Sequence, residues 1–246
     1  MLVRTILVTG GSSYIAKHII AELVKTGYAV KATLRSLEKA DQIKADIEFY
    51  LHKNIDLTFC VANLNDPNCW DEAVQNCDAV IHVASPFPLI PPKDFSDIIA
   101  PAREGTRAIL KAAHNNHIHR FIMTSSNAAI FFGHFHQQRF NESSWSDINH
   151  NDIDAYTKSK TVAEKAGWDF AHQHQDMQFT SINPAIVWGP AIGNHLQATS
   201  LTLFKLLINK KLSFLPNIML PIVDVRDVAK MHVNALENPA AIGKRF

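Results

Sequence analysis

The sequence predicts an α/β fold: a doubly wound parallel sheet with helices on both faces. Three observations carry this. Short apolar runs rich in β-branched residues alternate with segments of helical periodicity, the pattern of successive βαβ units. The runs are continuous in hydrophobicity, as in strands covered on both sides. Between the first run and the first helical pattern lies a turn of small residues, Gly10-Gly11-Ser12-Ser13, suited to a close approach of backbone to a ligand.

Strands are expected at residues 3–8, 29–34, 57–61, 79–84, 120–124 and 179–182. Between the first two, Ile15, Ile19, Ile20, Leu23 and Val24 recur at helical spacing, and Gly27 supplies a stop. Helices are also expected over residues 96–114 and 156–170. The stretch 133–151, rich in His, Asn and Ser, reads as a surface excursion. No internal repeat or Gly/Ser linker divides the chain. One domain is expected over residues 1–246, with residues of about 185–222 forming a small substrate lobe.

Composition narrows the function. Of 246 residues, 47% are apolar and 19% charged, enough for a sizeable core. Lys plus Arg number 24 against 23 Asp plus Glu, a net charge of +1, so no electrostatic footprint for nucleic acid or an anionic membrane is present. No run reaches the ~18 apolar residues of a membrane span. The three cysteines, Cys60, Cys69 and Cys77, make no disulfide framework and fit a reducing, cytoplasmic setting. The thirteen histidines show no metal-ligand spacing, and no metal is expected.

The turn after the first strand matches a G-x-x-G-x-x-G phosphate loop with Gly10 in first place, Ser13 in second and Ala16 in third. Such a loop opens a helix whose N-terminal N–H groups receive a pyrophosphate, as in Rossmann-type dinucleotide folds. Thr9, Gly10, Ser12, Ser13, Tyr14 and Ile15 are its candidate cofactor contacts, and the Ser13 hydroxyl can replace the glycine's close approach with a donor. Where an NAD site places an acid at the end of the second strand, this chain has Arg35, with Lys39 four residues on. Two cations there suit a 2′-phosphate, so NADP(H) is expected over NAD(H).

Tyr156 and Lys160 are four residues apart on one helical pattern and so share a face. A phenol ordinarily titrates near pH about 10; a neighbouring ammonium favours its ionised form. The pair is a proton donor and acceptor for interconverting a carbonyl and an alcohol. The strand at 120–124 ends in Ser125 and Ser126, at the strand end where ligands bind in parallel sheets, which places Ser126 to hold a substrate oxygen.

These residues, together with Ile81-His82-Val83-Ala84-Ser85-Pro86, Glu104-Gly105-Thr106, Ile182-Asn183-Pro184 and Val223-Asp224-Val225-Arg226-Asp227-Val228-Ala229, make the chain resemble extended short-chain dehydrogenases/reductases of the NAD-dependent epimerase/dehydratase superfamily. The likeness is to their dihydroflavonol-4-reductase-like carbonyl reductases and covers nearly the whole chain. It implies a catalytic triad of Ser126, Tyr156 and Lys160, with Tyr156 and Lys160 also touching the cofactor. Arg35 and Lys39 would take the 2′-phosphate. Asn63 and Leu64 would lie near the adenine, Asn63 standing where the family has Asp. Ala84 and Ser85 would line the cofactor; Pro184, Ile186 and Val187 would border the nicotinamide; and Ser200 would contact a phosphate.

The expected activity is NADPH-dependent reduction of an aldehyde or ketone. A nucleotide-sugar epimerase or dehydratase of the same fold is the rival enzyme, and a non-catalytic NADP-binding protein the rival of another class. Phe131 stands where plant flavonoid reductases place a substrate-gripping Asn, which argues against a flavonoid substrate. Family members generally continue past Gly243-Lys244-Arg245-Phe246, so an open substrate lobe and an apolar patch favouring a homodimer are expected.

Overall fold

The computed structural model describes residues 4–86, 96–134, 139–193, 199–209, 211 and 220–246, with the backbone alone at 199, 200, 203 and 207. Six parallel strands form the main sheet: β1 (Thr5–Val8), β2 (Ala29–Leu34), β3 (Leu57–Val61), β4 (Ala79–His82), β5 (Arg120–Thr124) and β6 (Gln178–Ile182). Their spatial order is β3-β2-β1-β4-β5-β6. The order reverses between β1 and β4, which creates a crevice at the carboxyl ends of those strands.

Period-two alternation sends successive side chains of β1 to opposite faces. Ile6 and Val8 join one core with α1 (Tyr14–Lys25) and α2 (Ala40–Leu51), in which Ile19, Ile20, Leu23, Ile43 and Ile47 are buried. Leu7 joins the other core with α3 (Trp70–Val74), α4 (Ser96–Asn115) and α5 (Ala155–Gln173), through Trp70, Ile109, Leu110 and Ala163. Burying both faces explains the continuous apolar strands of the sequence.

A second, two-stranded parallel sheet pairs β7 (Ile186–Trp188) with β8 (Ile222–Asp224), in register Ile186 with Ile222. Between them lies α6 (Thr199–Ile208); after them, α7 (Val225–Glu237) returns to pack on α1. The expected strands and helices are present, with the first strand starting at Thr5 and the fourth ending at His82. One pairing was not foreseen. Residues 243–246 run parallel to β6: Gly243 donates to Phe179 O, Ser181 to Lys244 O, and Phe246 to Ser181 O. Among the described residues no helix is long and apolar enough to cross a membrane.

Candidate active site

The phosphate loop owes its shape to two missing side chains. Gly10 has φ +64°, and a Cβ there would stand 3.1 Å from Ala84 Cα. At Gly11 a Cβ would sit 2.8 Å from Ala32 Cβ, too close for real atoms. Gly11 was absent from the sequence-derived contacts; its Gly-Gly context was the available signal. Ser13 is the N-cap of α1, its Oγ accepting from Ala16 N at 3.3 Å, and its hydrogen stays free to donate. Ser12 is exposed beside it, and Ile15 is half-buried.

Two residues of the loop, Thr9 and Tyr14, have buried side chains. Thr9 is fully buried: its Oγ1 accepts from Val83 N at 3.0 Å and Ala84 N at 2.9 Å and lies 2.9 Å from His82 Nδ1. With both lone pairs taken, the Thr9 hydroxyl donates to His82, so Thr9 tethers the end of β4 to the loop. Tyr14 packs into a buried cluster with Val187, Leu201, Val225 and Val228. Burial, and then the Asp224 carboxylate, push the Tyr14 phenol well above its ordinary value.

Arg35 and Lys39 are exposed just past β2, and neither makes an ion pair among the described residues. Asn63 is exposed; its Oδ1 accepts from Asn65 N at 3.1 Å, leaving its amide hydrogens available. Leu64 packs on Gly105, whose missing Cβ would lie 2.6 Å from Leu64 Cδ2. Ala84 and Ser85 are half-buried at the end of β4, and Pro184 and Ile186 are half-buried after β6. The Ser200 side chain lies outside the described residues. The small residues, the exposed helix start and the two unpaired cations fit a dinucleotide carrying a 2′-phosphate.

On the other side of the crevice the three remaining candidates converge. Ser126 follows β5 and is buried, its Oγ accepting from Ala128 N at 3.1 Å. Asp154 caps α5, its Oδ1 accepting from Thr157 N at 2.6 Å, which starts the helix just before Tyr156. Tyr156 is hydrogen-bonded by Ser126. Lys160 Nζ stands 5.9 Å from the centroid of the Tyr156 ring.

Burial holds the Tyr156 phenol above its ordinary value, the Ser126 hydrogen bond lowering it and the Asp154 charge raising it. Lys160 is itself buried and pushed down to about 8 by burial, against the pull of Glu164. The Ser126 hydrogen bond favours the Tyr156 phenolate here. His82, beneath them, is held neutral at about 3 by burial and then by the Lys160 charge.

The profile of the NAD dependent epimerase/dehydratase family matches residues 6–246. Cinnamoyl-CoA reductase 1 of Arabidopsis thaliana is 31% identical over 245 residues, covering 98% of this chain and 69% of that protein. Dihydroflavonol 4-reductase of the same plant is 28% identical over 247 residues, covering 98% of this chain and 64% of its own length. Yeast methylglyoxal/isovaleraldehyde reductase Gre2, solved with NADPH, has a TM-score of 0.80 at 28% identity, covering 98% of this chain and 77% of Gre2. With the glycine loop, the strand order and the Ser126–Tyr156–Lys160 group already in place, this chain belongs to the NAD dependent epimerase/dehydratase family.

Proposed function

We propose that this protein is an NADPH-dependent reductase that converts an aldehyde or ketone to the alcohol. The observation that carries the reading is the convergence of Ser126, Tyr156 and Lys160 at the strand end facing the phosphate loop. Relatives named cinnamoyl-CoA reductase and methylglyoxal/isovaleraldehyde reductase, the latter solved with NADPH, support it.

Gly10, Gly11, Ser12 and Ser13 would receive the pyrophosphate, and Arg35 with Lys39 the 2′-phosphate. When bound, NADPH supplies the hydride that adds to the carbonyl carbon. Ser126 would hold the carbonyl oxygen through its hydroxyl. Tyr156 would give its proton to that oxygen as charge develops, and its raised pKa keeps the proton in place at neutral pH. Lys160, an ammonium below about pH 8, would attract the developing phenolate. Ser126 and Lys160 are buried, which strengthens each of these interactions.

Four large apolar side chains on the small lobe, Phe204, Ile208, Leu220 and Ile222, are exposed, and we infer a homodimer that covers them. Free cysteines support a cytoplasmic setting. The deciding experiment follows NADPH oxidation over a panel of aldehydes and ketones. Turnover that requires Tyr156 is expected; epimerisation of a nucleotide sugar without net cofactor oxidation overturns the reading.

A further inference from the structure

Glu164 is fully buried near the middle of α5. Five side chains donate to its carboxylate: Ser125 Oγ at 2.6 Å, Asn183 Nδ2 at 2.7 Å, Ser181 Oγ at 2.8 Å, Trp168 Nε1 at 3.2 Å, and Arg245 through Nε at 2.6 Å and Nη2 at 3.3 Å. Arg245 is held in turn. Its Nη1 donates to Ser144 O at 2.6 Å and Glu142 O at 2.8 Å, and its guanidinium lies 3.8 Å over the Trp145 ring.

A buried ion pair of this kind adds little net stability over apolar side chains of similar volume, because both charges lose their hydration. Its placement is more informative. Tyr156, Lys160 and Glu164 occupy successive turns of one face of α5. Ser125, bonded to Glu164, precedes Ser126 in the chain. Asn183 joins the two directly, donating from Nδ2 both to Glu164 and, at 3.1 Å, to the Ser126 carbonyl. Ser126 and Tyr156 thus come from different elements, and the Glu164 carboxylate ties those elements together, along with β6 and residues 243–246.

We propose that Glu164, locked by Arg245, is the positioning residue that fixes Ser126 against Tyr156 and Lys160; this rests on the reductase reading above. A carboxylate with six short contacts has one orientation, and the groups it holds inherit that order. Loosening it lets the carbonyl-holding hydroxyl and the proton donor drift apart, and small misplacements of reacting groups are costly in rate. The negative charge of Glu164 also helps Lys160 keep its proton.

The test compares the full chain with Glu164→Gln, which keeps the shape, and Arg245→Lys, which keeps the charge. The expected result for Glu164→Gln is a fall in kcat of at least about tenfold, with KM and the NADPH dissociation constant within about threefold. Arg245→Lys, which keeps the charge opposite Glu164, should lose less kcat than Glu164→Gln. Deuterium uptake should rise over residues 124–130 and 155–163 and stay unchanged over residues 5–34. A purely structural role lowers the melting temperature without moving kcat per folded molecule or this local uptake, and that outcome overturns the proposal. If Glu164→Gln does not fold, Arg245→Lys and Ser125→Ala carry the same two readouts. If the wild-type chain reduces no carbonyl, the reductase reading fails, and the uptake pattern alone decides whether Glu164 orders these segments.

Discussion

Lys160 Nζ lies 5.9 Å from the centre of the Tyr156 ring, one turn along the same helix face, and both groups are displaced from their ordinary acidities by burial. Their shifts run in opposite senses: the phenol holds its proton more tightly, the ammonium less. Reduction should therefore be flat with pH below about 7 and decline as Lys160 loses its proton around 8. Tyr156→Phe should lower the single-turnover rate by at least about 100-fold while NADPH still binds, the size of a lost general acid. Stopped-flow NADPH oxidation across pH 6–10 checks both; a rate indifferent to Tyr156→Phe removes the phenol from the proton step.

Arg35 stands exposed with no ion-pair partner among the described residues, so a 2′-phosphate meets a cation that gives up nothing else to bind it. Arg35→Ala should weaken NADPH by about 1.5–3 kcal/mol, the range for a hydrogen bond to a charged group, and leave NADH nearly unchanged. Isothermal calorimetry with both cofactors measures the difference. Equal losses would mean that Arg35 supports the loop rather than the phosphate.

The fold was legible because its information is local. Strands buried on both faces must be continuous in hydrophobicity, and Ile6, Leu7 and Val8 say so within three residues. The site was legible where it depends on spacing, as with Tyr156 and Lys160. It was not legible where it depends on packing at a distance. Thr9 lies in the loop by sequence, yet its hydroxyl is consumed by Val83, Ala84 and His82, more than seventy residues on. Glu164 meets Arg245 across 81 positions, and no local pattern announces that pairing. An acidic residue one turn beyond Lys160 on a buried face was the signal available.

Gly11 exposes the same limit in a testable way. A methyl group there meets Ala32 Cβ at 2.8 Å, between the phosphate loop and β2. Neither wall is the far end of a flexible side chain, so backbone must shift. Gly11→Ala should cost about 1–3 kcal/mol, as overpacking does, and weaken NADPH by displacing the loop. Adding Ala32→Gly should restore much of both losses, since the two substitutions share one contact. Chemical denaturation of the single and double variants decides; strictly additive losses would mean that the clash lies elsewhere.

Acid should unfold this protein through two buried histidines. His82 is held at about 3 and His232 at about 4, both chiefly by burial, against about 6.5 for an unfolded chain. His232 accepts from Thr124 Oγ1 at Nε2, 2.7 Å, and donates from Nδ1 to Val228 O, 2.7 Å, which fixes one neutral tautomer joining α7 to β5. His82 accepts at Nδ1 from Thr9, as described above. The sign follows from proton counting. Below about 6.5 the unfolded chain binds protons that the folded chain refuses, so stability is complete above that pH and falls as pH drops toward about 4. Each unit of displacement is worth about 1.4 kcal/mol, so the pair together opposes folding in acid by several kcal/mol. The melting temperature should therefore fall steadily from pH 6.5 to 4. His232→Gln, which keeps one donor and one acceptor but cannot charge, should flatten that fall even if it lowers the melting temperature at pH 7. Parallel curves for the wild type and His232→Gln would show that His232 is not what acid attacks.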